Sequence, residues 1–248
     1  MFVSANFLAI NYGVDDTIAK FFTDRQPPAN NLYWKDKLMY LRPEIGWLFI
    51  PLIVDLLYKS GIPREHLLSE DYVAAMEHIG HISAREEIGE ISPQEAVVLA
   101  TDFVSQKATD EGFLADIVDF VRDGTNNRFK SLSLPFKALH RGDLFLFSLV
   151  VLPIQDELEF YVLKCWFALI STLLLLDDAD DLELDKANGH ENAFIQSGLD
   201  QEGVNKIKTL VKTNLAFIAE LNRPMASTLD KKFVALSKRP EIFELLNQ

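Results

Sequence analysis

The stretch Leu173-Leu174-Leu175-Leu176-Asp177-Asp178-Ala179-Asp180-Asp181-Leu182-Glu183-Leu184-Asp185 runs an apolar segment directly into a cluster of acids. The apolar half extends back to Asp156 without a proline or glycine, and its length and composition suit a buried core helix over Asp156–Asp181. On a helix, Asp177 and Asp181 are four apart and Asp178 and Asp181 three apart, so the three carboxylates are expected on one face. Exposed like charges at that spacing cost ~0.2–0.5 kcal/mol per pair, and the negative end of the helix dipole adds to the repulsion. A hard divalent cation would remove the penalty. Mg²⁺ takes one or two carboxylates and completes its shell with water and phosphate oxygens. The competing reading is a solvated acidic helix end feeding a loop.

A second cluster repeats the spacing. Glu86-Glu87-Ile88-Gly89-Glu90 closes a segment, Glu70–Ile88, whose Tyr72, Val73, Met76 and Ile79 recur at helical period. Two acidic helix ends on neighbouring helices could hold divalent ions between them, and those ions would bind a diphosphate. The alternative is again a solvated surface.

Helical punctuation continues in both directions. Ser92-Pro93-Gln94-Glu95 is a capping box with proline in the first turn, predicting a helix from Pro93 to about Lys107. Asp110 can cap another to about Arg122. Leu38–Tyr58, interrupted by Pro43 and Pro51, Leu134–Leu152 and Leu199–Leu221 read as further helices. Arg223-Pro224 is expected to stop the last of these, with Ser227–Leu236 and Pro240–Leu246 following. There is no sustained period-two alternation, no repeat and no long linker. The expectation is one all-α domain over residues 1–248, a single large helical bundle of about nine or ten helices.

The chain has 248 residues, 48% hydrophobic and 25% charged, with a formal net charge of −13. That is globular usage, and no basic stripe is present to track a nucleic-acid backbone. A single cysteine, Cys165, excludes an internal disulfide and a cysteine-based zinc site. Met1–Tyr12 lacks the basic start and cleavage site of a signal peptide, and the unbroken apolar runs fall short of the ~20 residues of a membrane span. The expectation is a soluble, cytoplasmic protein with no membrane span; a homodimer is compatible with it. Glu77-His78-Ile79-Gly80-His81 lacks the Glu-x-x-His spacing of a di-iron site, so His78 and His81 read as an ordinary surface or core pair.

On these residues the chain resembles the isoprenoid synthase superfamily, and within it the trans-isoprenyl diphosphate synthases. Those all-helical enzymes carry two acidic motifs facing each other across a cavity. Asp177, Asp178 and Asp181 match the second, with Asp185 at its later aspartate. Glu86, Glu87 and Glu90 fall about where the first belongs. Leu41-Arg42-Pro43 resembles the early segment that binds isopentenyl diphosphate, and His140-Arg141-Gly142-Asp143-Leu144-Phe145 resembles Lys-Thr-Gly-x-Leu-Phe. The resemblance implies Mg²⁺ on Asp177, Asp178, Asp181, Glu86, Glu87 and Glu90, and a prenyl diphosphate as substrate or ligand. It implies metal-assisted ionisation of that ligand, with Asp177, Asp178 and Asp181 as the catalytic acids and Arg42, Asp185 and Lys186 as diphosphate-binding residues. The chain departs from the family at Met39, His140 and Leu174, where Lys, Lys and Gln are usual, and no arginine pair follows the first cluster. Those departures favour a non-catalytic binding or regulatory member of the same fold. A terpene cyclase is the neighbouring alternative, but no Asn-x-x-x-Ser-x-x-x-Glu pattern follows Asp181.

Overall fold

Every regular element in the computed structural model is helical. It describes residues 3–26, 28, 45–122, 127–240 and 242. Among these the α-helices are α1 (Ala5–Tyr12), α2 (Asp16–Asp24), α3 (Ile45–Lys59), α4 (Arg64–Leu67), α5 (Glu70–Glu87), α6 (Pro93–Ser105), α7 (Glu111–Arg122), α8 (Asp156–Asp180), α9 (Leu182–Asn188), α10 (Ala193–Gln196), α11 (Gln201–Leu221) and α12 (Arg223–Leu236). Three 3₁₀ segments, Lys130–Leu132, Lys137–His140 and Asp143–Val151, lie between α7 and α8. The all-α expectation holds, and so do the main helix boundaries. Nine of the α-helices have eight residues or more.

The boundaries follow local chemistry. Ser92 and Glu95 form the expected reciprocal capping box at α6, closing two otherwise unpaired backbone donors. Asp110 accepts the Phe113 N–H at 2.7 Å to start α7, and Asp200 accepts the Gly203 N–H at 2.8 Å to start α11. α3 runs unbroken through Pro51, which the sequence suggested as a kink or a new start.

Two expectations are corrected. The Leu134–Leu152 stretch is not one α-helix but 3₁₀ turns, and all nine side chains of Asp143–Val151 are buried. A run with no polar face carries no period to separate the two helix types, and α5, α6 and α7 all pack around it. Arg223-Pro224 begins α12 rather than ending a helix. Proline needs no N–H in a first turn, and Asn222 accepts the Met225 N–H at 3.0 Å as the cap.

α8 is the central element. It packs against α3, α11 and α12, and most of its residues are buried around its whole circumference. It is long and apolar enough to cross a bilayer, but 72% of its apolar window is buried inside the fold, as a core helix requires. Asn214 of α11 donates to Ser171 Oγ at 2.8 Å and Thr172 Oγ1 at 3.3 Å, pairing two buried hydroxyls in the middle of this helix. A smaller apolar cluster sits under its last turns. Leu175, Ala179 and Leu182 there meet Ala138, Leu139, Phe194, Val204 and Ile207. That cluster seats the Lys137–His140 turn and the short helix α10 directly beneath the acidic end of α8.

Candidate functional site

The acids of Asp177–Asp185 separate into inner and outer groups. Asp178 is 1% exposed and turned inward, while its neighbours Asp177 and Asp181 face outward. The cause is the smaller apolar cluster: Leu175, Ala179 and Leu182 bury the face on which Asp178 lies. α8 ends at Asp180, and Asp181 is the residue between α8 and α9. Its N–H still bonds Asp177 O at 3.0 Å. Asp181 therefore stacks one turn above Asp177 as the spacing predicted, but Asp178 does not join them.

Both oxygens of the buried Asp178 carboxylate accept hydrogen bonds from protein groups. Arg141 Nη2 donates to Oδ1 at 2.6 Å, and the Ala193 N–H donates to Oδ2 at 2.7 Å. Asn192 donates to the Asp178 carbonyl at 2.7 Å and to Asp185 Oδ2 at 2.9 Å, while its own side-chain oxygen caps α10. Burial pushes the Asp178 carboxyl up to about 6 against the pull of Arg141. Burial also raises the Asp177 carboxyl, helped by the like charges of Asp181, Asp185 and Asp180 and opposed by Arg141. Arg141 Nη2 lies 3.9 Å from Asp177 Oδ2, and Arg141 Nη1 donates to Glu191 O at 2.9 Å. At the outer edge Arg239 pairs with Asp180 at 2.5 Å and donates to the Asp180 carbonyl at 3.2 Å. A cation at that carbonyl also offsets the helix dipole. Lys186 is exposed.

The glutamate cluster is divided by a turn. Gly89, at φ +75°, closes α5, with Gly89 N–H on Glu86 O at 2.9 Å and Glu90 N–H on Arg85 O at 2.9 Å. Glu90 therefore lies beyond the helix and pairs back to Arg85 at 3.2 Å. Burial, then the like charges of Glu87 and Glu191, push the Glu86 carboxyl up. Glu191 is paired to Lys137 at 2.5 Å and directly precedes the Asn192-Ala193 pair that grips Asp178. Glu191 therefore bears on Glu86 through its charge, while its own carbonyl accepts from Arg141.

As a metal centre the donors do not fit a resident ion. Among the described residues no three His, Cys, Asp or Glu side chains come together in a group that could hold one. Both Asp178 oxygens are already taken. Arg42 lies outside the described residues. Glu77 belongs to an ion pair with Arg25, which also grips Glu70 at 2.6 Å, and His78 stacks on Phe103 at 3.9 Å. An open groove of about 590 Å³ lies on α2, lined by Asp16, Lys20, Phe21, Asp24 and Arg25. Arg25 ties it to the start of α5, roughly 24 Å along that helix from Glu86 at 1.5 Å per residue.

No family model, curated protein or solved structure matches this chain.

The sequence reading quoted Arg141 only as part of the His140–Phe145 motif, with no role of its own, and passed over Asn192 and Ala193. Only Asn192 carried a local signal, as an Asx cap before a short helix. The pairing of Arg141 with Asp178 spans 37 residues and has no sequence signature.

Proposed function

We propose that this chain is a divergent, isoprenyl-diphosphate-synthase-like helical protein that binds a prenyl diphosphate together with Mg²⁺ at the acidic end of α8, without ionising it. The observation that carries the reading is the exposed pair of Asp177 and Asp181, stacked one helical turn apart at the acidic end of α8. The Asp-Asp-x-x-Asp pattern and the isoprenoid-synthase-like order of its local matches supply the ligand class. The metal would arrive as part of the diphosphate complex, because Mg²⁺ needs only one or two carboxylates when phosphate oxygens complete its shell. Asp177 and Asp181, exposed and stacked, are the carboxylates left for it.

The binding reading is favoured over turnover by the lock on Asp178. Arg141 and the Ala193 N–H hold the buried Asp178 carboxylate turned away from exposed Asp177 and Asp181, so one of the motif's three acids is missing from the face a leaving diphosphate would meet. Catalysis at such a site depends on charge stabilisation aimed at the leaving diphosphate. The test is a pair of measurements on the full chain. Geranyl diphosphate with Mg²⁺ should raise the melting temperature more than either alone, since binding only to the native state stabilises by RT ln(1 + [L]/Kd). Diphosphate release from geranyl or farnesyl diphosphate should stay at background. Release above background would establish the catalytic reading instead, and an unmoved melting curve would end both.

A further inference from the structure

Three acids at the negative end of a long apolar helix need positive charge nearby, and in this fold the nearest cation is a side chain. Arg141 Nη2 stands 2.6 Å from Asp178 Oδ1 and 3.9 Å from Asp177 Oδ2, between the two adjacent carboxylates. Its other nitrogen is held by Glu191 O at 2.9 Å, so the guanidinium is fixed from both sides. The backbone beside it is seated on the same helix. A Cβ on Gly142 would come within 3.1 Å of Ile170 Cγ2 and 3.8 Å of Trp166 Cζ2, so the backbone here lies close against α8. The place is thus built by covalent geometry, packing and hydrogen bonding together.

We propose that Arg141 is the built-in counter-ion of the acidic end, standing where a divalent ion would otherwise be needed between Asp177 and Asp178. With it in place the protein holds no divalent cation by itself; with it removed, the two carboxylates become a cation site. Where this meets the proposed diphosphate reading, on which this sentence alone rests, an arriving diphosphate competes with Asp178 for the guanidinium, so anion and metal bind together.

The experiment is calorimetric titration and thermal melting with MgCl₂ alone, at pH 8, on wild type, Arg141→Gln and the double variant Arg141→Gln/Asp177→Asn. Sodium chloride at matched ionic strength is the control, because unspecific screening moves all three alike. Wild type should show no saturable Mg²⁺ uptake in the millimolar range. Arg141→Gln should melt lower than wild type, take up Mg²⁺ in that range and recover several degrees. The double variant should lose the recovery. Saturable uptake by wild type, or a folded Arg141→Gln with no uptake, overturns the proposal. If Arg141→Gln is unfolded in sodium chloride, folding restored by MgCl₂ supports it and failure of MgCl₂ to restore folding overturns it. None of these arms contains a diphosphate, so the prenyl diphosphate reading can fail while the counter-ion role stands.

Discussion

Asn222 Nδ2 donates to Asp55 Oδ2 at 2.7 Å across 167 residues of sequence, joining the α11–α12 junction to the middle of α3. Asp55 is fully buried. Its other partners are the Asp15 N–H at 2.8 Å and Lys59 Nζ at 2.7 Å, and Lys59 also reaches Gly13 O at 2.6 Å. One carboxylate therefore ties the α1–α2 turn, α3 and the start of α12. Gly13 allows the approach, because a Cβ there would lie 2.8 Å from Pro224 Cβ.

Asn222→Ala removes a donor from the buried Asp55 and the cap from α12, and should cost about 2–4 kcal/mol. Asn222→Asp keeps the cap acceptor but sets a second carboxylate against Asp55. At neutral pH it should therefore be the less stable of the two, and it should recover as pH falls. Urea unfolding of both variants at two pH values checks the order; an aspartate variant as stable as wild type would refute it.

Gly203 in the first turn of α11 is a second sensitive point. Alanine for glycine in a helix ordinarily stabilises by up to ~1 kcal/mol. Here a Cβ would fall 1.9 Å from the Ser197 carbonyl oxygen, a backbone atom that cannot swing aside. Gly203→Ala should instead destabilise by about 1–3 kcal/mol, the range for overpacking. A melting temperature at or above wild type would show that the α10–α11 connection yields easily.

Asp178 predicts a pH dependence with a definite sign. Its folded value of about 6 lies above its ordinary 3.8, so between those values the native state holds more protons than the unfolded chain. Its contribution to stability is therefore fully present in acid. It declines by about 3 kcal/mol as pH rises through that window, then stays level. Asp178→Asn lacks the decline. Denaturant unfolding from acid to neutral pH should give a wild-type curve that falls relative to the variant; parallel curves would contradict the burial argument.

Cys165 is enclosed in α8, and burial pushes its thiol up to about 12. The thiolate is the reactive form, so Ellman's reagent should leave the native protein untouched and titrate one thiol after unfolding. Rapid labelling of native protein would place Cys165 at an opening that the packed helix does not provide.

What could be read along the chain was what depends on neighbours in sequence. The α6 capping box at Ser92 and Glu95, the cap at Asp110, and the span of α8 all follow from hydrogen bonds and periodicity within a few residues. The pairing of Asp177 with Asp181 one turn above is of the same kind. Tertiary structure decided the rest. Asp177 and Asp178 are chemically identical neighbours about 100° apart around one helix, and which of them turns inward depends on where Phe194, Ala138 and Leu139 pack. Arg141 reaches Asp178 across 37 residues because its turn lies close against α8, with Gly142 beside Ile170. The Asp143–Val151 segment, buried throughout and packed by α5, α6 and α7, winds as 3₁₀, and its mostly apolar sequence has no period that distinguishes this from an α-helix. Local rules placed the acids on a helix end; long-range packing determined which of them still face solvent.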